Sequence, residues 1–253
     1  MATPGLRPIP APMPPLGLSP AKIRKRSSAP LQLRPSSLPL LKDTKGSAGA
    51  GGGQPSDEGF AEIQSGEVLE IGLVQADPGD ILWHLSKPPL PPDIVGQPAK
   101  LILNRDRRIA LMRHHTSLLV LNTVALRDFG GWITGVQIGV DHSRIDFKIE
   151  GFSPALIAEL EKRANAVLAE NHSVAAYYLS EEDFRKREDL VRTLEAKPPV
   201  SGGRVRVVEI QGFEAQACGK THVRNTSEVG RLSIFRTENK GKINKRLYVR
   251  LLL

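Results

Sequence analysis

The only cysteine in the sequence, Cys218, has a histidine four residues on, in the run Cys218-Gly219-Lys220-Thr221-His222. Thiolate and imidazole are ligands that zinc favours, and a short Gly-containing turn can bring both to one point. Two ligands do not close a metal site, so the pair alone is equally a buried thiol beside an unrelated histidine. A third candidate is His115, in Met112-Arg113-His114-His115-Thr116-Ser117-Leu118-Leu119. At helical spacing its neighbours are Leu111, Leu118 and Leu119. On so apolar a face, a core histidine bonded to a backbone carbonyl is the commoner occupant. His114 points about 100° away around the helix and is expected at the surface. Taken together, His115, Cys218 and His222 offer three ligands and leave one position open, the pattern of catalytic zinc. The run Gly51-Gly52-Gly53-Gln54-Pro55-Ser56-Asp57-Glu58-Gly59 reads either as a flexible linker or as backbone bared for close approach to a ligand.

Several elements must position these residues. Residues 60–86 alternate apolar and polar in short runs, with breaks at Ser65-Gly66 and Asp77-Pro78-Gly79, which is strand text. Pro88-Pro89-Leu90-Pro91-Pro92 is a connector. Residues 105–127 read as a long helix ending near Gly130-Gly131. A hairpin is expected over 132–140 and 143–149, around Asp141-His142. A second helix spans about 154–170, with Ser153 as N-cap and Pro154 at its first position. Val174–Leu179 is a strand, after which Ser180 caps a third helix, with Asp183 completing a capping box. Strands follow at 204–210, 229–237 and 243–251. Strands and helices arrive in mixed order, so the class is α+β.

The chain has 253 residues, enough to bury a core, and a formal charge of +8. No run approaches the ~20 apolar residues of a membrane span. One cysteine excludes a disulfide framework within the chain. The charge is lumpy. Residues 1–42 hold seven basic residues, no acid and ten of the 20 prolines; residues 231–253 carry +6, and 43–230 carry −5. Residues 1–48 are accordingly read as a disordered basic Pro-rich tail. The same composition suits an organelle transit peptide, but the prolines prevent the amphipathic helix such peptides use.

In this order the pieces resemble the alanyl-tRNA editing proteins (the AlaX family). They also resemble the matching editing domain of alanyl-tRNA synthetase and, more distantly, that of threonyl-tRNA synthetase. The family's Gly-Gly-Gly-Gln-Pro-x-Asp-x-Gly turn is matched by Gly51, Gly52, Gly53, Gln54, Pro55, Asp57 and Gly59. Its Met-Arg-x-His-Thr helix is matched by Met112, Arg113, His115 and Thr116, and its Arg-Ile-Asp-Phe strand by Arg144, Ile145, Asp146 and Phe147. Its Cys-Gly-Gly-Thr-His-Val and Asn-Thr-Gly-Glu-Ile-Gly runs align with Cys218, Gly219, Thr221, His222, Val223, Asn225, Thr226, Glu228 and Gly230. There are departures. The family's second helical histidine falls on Leu119, and Lys220 stands where the family has a glycine.

The resemblance covers about residues 49–253. It implies a partial β-barrel-like domain over 49–103 and an α+β editing domain over 104–253. It implies a trans-editing hydrolase that deacylates alanine tRNA mischarged with serine or glycine. One zinc ion per chain would be held by His115, Cys218 and His222. Thr116 and Gln54 would be catalytic, and Gly51, Gly52, Gly53 and Gln54 would bind substrate. The partner is tRNA, and the setting cytoplasmic. No stretch resembles the ATP-binding motifs of a class II synthetase, so ligase activity is not expected. The alternative is a degenerate, non-catalytic editing domain that holds tRNA or a protein partner, which Leu119 keeps open.

Overall fold

The computed structural model describes residues 48–77, 82–88, 90, 94, 96–191, 200–241 and 243–252, together with 21–22 and 37–39. Among the described residues there are three antiparallel sheets and three α-helices. The first sheet has the order β1-β6-β3-β4-β5-β2. Its strands are β1 (Ala21–Lys22), β2 (Ser37–Pro39), β3 (Gly59–Ile63), β4 (Val68–Ala76), β5 (Leu82–Lys87) and β6 (Pro98–Leu103). Its order is linear: among the described residues no pairing closes it into a barrel. Ala61, Ile63, Leu69, Ile71, Val74, Ile94 and Ala99 form its core.

Within the stretch read as a tail, β1 pairs with β6 and β2 with β5, both antiparallel. Segments this short at a sheet edge tolerate proline, because only one side of the strand needs donors. The rest of 1–47 lies outside the described residues.

Helix α1 runs Arg105–Phe129, about 37 Å at 1.5 Å per residue. Asn104 caps its start by accepting from Arg107 N, and Gly130, at φ 64°, ends it in the left-handed conformation. Next come β7 (Trp132–Gln137), β8 (Ser143–Lys148) and α2 (Pro154–Ala169). As the sequence predicts, Ser153 caps α2 with Pro154 in its first turn. β9 (Val174–Ser180) leads into α3 (Glu181–Arg185), whose N-cap is Ser180. The expected capping box is half made. Ser180 Oγ accepts from Asp183 N, but the Asp183 carboxylate takes the Ser180 hydroxyl proton rather than the backbone N–H. Its side chain is one methylene shorter than the usual Glu.

The second sheet is built on β11 (Arg204–Ile210). β9 runs along one edge; β10 (Val200–Ser201) and β12 (Glu214–Ala217) share the other. The third sheet has the order β13-β14-β8-β7, with β13 at Arg231–Asn239 and β14 at Asn244–Leu252. The main core lies between this sheet and the helices, and β11 reaches it through Val208 and Ile210. Sequence reasoning missed β6, β10 and β12.

Candidate metal centre

α1 is wrapped on all sides through its middle: every residue from His114 to Ala125 is buried. His115 is 8% exposed. His114, expected at the surface, is buried at 2%. The expectation assumed a helix with one wet face, and α1 has none at this level. Leu119, one turn beyond His115, is 6% exposed and belongs to the main core.

The other two candidates come from the loop after β12. Arg206 on β11 folds that loop: its guanidinium donates to Cys218 O (2.8 Å) and Lys220 O (2.7 Å), while Cys218 N donates to Arg206 O. The result brings three side chains from two distant segments together. Cys218 Sγ lies 3.5 Å from His115 Nε2 and 3.2 Å from His222 Nε2. The imidazole centroids are 4.3 Å apart, and the ligand atoms of all three residues lie within 4.8 Å of one another.

The donor set fits zinc. With Zn–S near 2.3 Å and Zn–N near 2.0 Å, a tetrahedral face has an S···N edge of about 3.5 Å. Both measured S···N separations are close to that. Each imidazole also turns the correct nitrogen inward. His115 Nδ1 is 2.8 Å from Gln54 Oε1. An amide oxygen only accepts, so Nδ1 carries the proton and the Nε2 lone pair faces the sulfur. His222 Nδ1 is 3.2 Å from Thr116 Oγ1, which also accepts from Val223 N. Ligation at His222 Nε2 needs the proton on Nδ1, and Thr116 is placed to receive its hydrogen bond.

Gln54 is delivered by the Gly-rich run, which is a built turn and not a free linker. Gly51 and Gln54 exchange backbone hydrogen bonds, with φ 55° at Gly52 and 77° at Gly53. Positive φ at both central residues favours glycine. A Cβ on Gly53 would also sit 2.6 Å from Val136 O. The turn is docked by Ile138 N donating to Gly53 O (2.7 Å) and by Lys220 Nζ donating to Gly49 O (2.9 Å). Asp57, 2% exposed, ties it to α1 through a two-pronged pair with Arg108. Gln54 Nε2 donates in turn to Thr221 Oγ1 (2.9 Å). One amide therefore bridges the helix and the ligand loop.

Burial dominates the electrostatics. It lowers the His115 pKa to about 3, with the nearby Lys220 and Arg206 cations adding to the effect. It drives His222 well below its ordinary value, with His115 and Arg206 contributing. Both rings are thus neutral, as ligands must be. Burial also pushes the Cys218 thiol up, against the pull of the Lys220 backbone N–H and the Arg206 and Lys220 charges. Metal uptake would therefore release the thiol proton.

Of the sequence candidates, His115, Cys218 and His222 converge. Gln54 and Thr116 sit behind the histidines, at 2% and 0% exposure. Gly51 and Gly52 lie by Lys220 at the exposed side of the turn, and Gly53 packs against Val136. Arg206 was missed, and no local signal marks it: one arginine in a strand acquires its role only when β11 meets the loop after β12. Thr221, quoted for its motif, gains a task as the partner of Gln54.

Comparison with known proteins defines the class of this domain. Residues 205–248 match the threonyl and alanyl tRNA synthetase second additional domain. The chain is 38% identical over 210 residues to the alanyl-tRNA editing protein AlaX-M of Methanosarcina mazei, covering 79% of this chain and 82% of that protein. It is 31% identical over 202 residues to the AlaX-M protein of Saccharolobus solfataricus, covering 78% and 82%. The alanine–tRNA ligase of Korarchaeum cryptofilum is 37% identical over 189 residues, which is 74% of this chain but 20% of the ligase. The chain belongs to the AlaX alanyl-tRNA editing proteins. Among the described residues no helix is long and apolar enough to cross a membrane.

Proposed function

We propose that the protein is a trans-acting editing hydrolase of the cytoplasm that cleaves the ester linking serine or glycine to alanine tRNA. The observation that carries this reading is the meeting of His115, Cys218 and His222, with both imidazoles turned by hydrogen bonds at Nδ1. The need for such an enzyme is physical. A pocket for alanine discriminates poorly against a residue lacking one methyl or bearing one extra hydroxyl, so a second, hydrolytic site is required.

His115, Cys218 and His222 would hold one zinc ion, which when bound would supply Lewis acidity toward the ester carbonyl. Gln54 and Thr116 act as positioning residues: each fixes the proton of one imidazole and so aims the other nitrogen. The exposed Gly51 and Gly52 backbone, beside the Lys220 ammonium, borders the entrance and would face the tRNA end.

Leu119 favours a second reading. An apolar side chain at the fourth ligand position lowers metal affinity, and a chain that no longer retains metal would hold tRNA without hydrolysing it. Metal content and deacylation separate the two. The hydrolase should contain close to one zinc per chain and release serine from seryl-alanine tRNA. A metal-free chain without deacylation at micromolar protein leaves only the binding role. Leu119→His should raise zinc retention in either case, because it returns an imidazole one helical turn from His115. Unchanged retention would mean that Leu119 does not face the centre.

A further inference from the structure

The third sheet has a second face, turned away from the main core. Leu247, Val249 and Leu232 point inward and are buried. Strand alternation sends their neighbours outward. One row crosses the sheet: Arg236 pairs with Tyr248, Tyr248 with Arg144, and Arg144 with Gln137. A register shift between Ile234 and Arg236 bulges the chain at Phe235, which is 44% exposed. Phe235 and Tyr248 lie 6.2 Å apart, and His142 stands 6.0 Å from Phe235 and 6.4 Å from Tyr248. Arg236 and Arg250 lie over the Tyr248 and Phe235 rings, at 4.9 and 5.5 Å.

Charge on this face is net positive. Arg246 is neutralised by Asp146 and Arg236 faces Glu238. Arg144 and Arg250 have no carboxylate partner among the described residues. The face is also linked to the metal centre through the backbone. Gln137, at the end of the aromatic row, precedes Ile138, whose N–H binds Gly53 O, and Gly53 adjoins the Gln54 that holds His115.

Planar rings interleaved with guanidinium groups match one chemistry well. Unpaired nucleotides stack on rings irrespective of sequence while their phosphates meet the cations. We propose that Phe235, Tyr248 and His142, with Arg144, Arg236 and Arg250, form a platform for the unpaired nucleotides of the RNA whose end enters the metal centre. This rests on the editing reading for the identity of the RNA, but not for the existence of the platform.

Two substrates distinguish the platform from the metal centre. The first is uncharged alanine tRNA, whose binding to the full chain is followed by fluorescence anisotropy and requires no catalysis. The second is the seryl ester of adenosine, which is too small to reach the platform. Phe235→Leu with Tyr248→Leu keeps apolar bulk and removes the ring faces. It should weaken tRNA binding about ten-fold or more and leave hydrolysis of the small ester unchanged. Arg144→Ala and Arg250→Ala should each reduce the slope of log affinity against log salt by about 0.7. Affinity and salt slope equal to those of the parent in all these variants overturn the platform and leave the surface to a protein partner. Failure of the parent to hydrolyse both the seryl ester of adenosine and alanine tRNA mischarged with serine overturns the editing reading instead, and the anisotropy result still judges the platform.

Discussion

Gln54→Leu removes a single acceptor and tests how the centre is aimed. In the parent, the Gln54 amide oxygen holds the proton on His115 Nδ1 at 2.8 Å, and its nitrogen donates to Thr221 Oγ1 at 2.9 Å. Leucine fills similar volume but leaves the buried His115 Nδ1–H and the half-buried Thr221 hydroxyl without that partner. Partners one step behind a metal ligand typically govern affinity by 10–100-fold, about 1.4–2.8 kcal/mol. The metal-free protein should also lose about 1–3 kcal/mol from the unpaired groups. In a chain of this size that lowers the Tm by roughly 2–4 °C for each kcal/mol. Zinc affinity would be measured by competition with a chromophoric chelator at fixed pH, alongside thermal melts of the metal-free protein. Gln54→Glu serves as the control, since a carboxylate accepts from Nδ1 and from the Thr221 hydroxyl. It should keep zinc affinity within about three-fold of the parent or tighten it. If Gln54→Leu binds zinc like the parent, the amide does not set the His115 tautomer. If Gln54→Glu is as weak as Gln54→Leu, packing and not the acceptor governs the site.

Other expectations follow from the same geometry. Gly53→Ala places a Cβ 2.6 Å from Val136 O at φ 77°, so the turn must shift and Gln54 with it; chelator competition should show weaker zinc binding, and an unchanged value would mean that the turn is slack. Metal-free protein should lose stability as pH falls. The His114 pKa is lowered from the ordinary 6.5 to about 4 by burial first, with His142 adding. Between these values the unfolded chain binds a proton that the native state refuses. The stabilisation is therefore complete above about pH 6.5 and declines until about pH 4, by about 3 kcal/mol in total. Urea midpoints at pH 7 and pH 5 would reveal it. His114→Leu should flatten the dependence without abolishing it, because His115 and His222 titrate in the same direction. An identical pH profile in that variant would exclude His114 as a contributor.

The long helix, the 132–148 hairpin and the capped starts of α2 and α3 were legible because caps and periodicity are local. Ser153-Pro154 and Gly130 act within one turn of themselves. β12 was not legible, since Glu-Ala-Gln-Ala carries little strand preference and is ordered by its pairing with β11. β6 followed a proline connector that masked its Leu101-Ile102-Leu103 end. Cys218 and His222 could be paired from spacing alone. His115 could be offered as a third ligand, but its apolar face favoured a core role, because nothing local ties residue 115 to residue 218. His114 was misplaced because a single chain does not announce how many layers will cover a helix.

The hydrogen bonds around the centre join residues 61, 106 and 167 positions apart. During synthesis Gln54 and His115 emerge long before Cys218 and His222. Until the last ligand leaves the ribosome, the polar groups of α1 and the Gly-rich turn lack their far partners. The centre therefore belongs to the closing stage of folding, and a chain stalled before β12 would have an imidazole but no place to put a metal. Any metal loading would thereby be reserved for finished molecules.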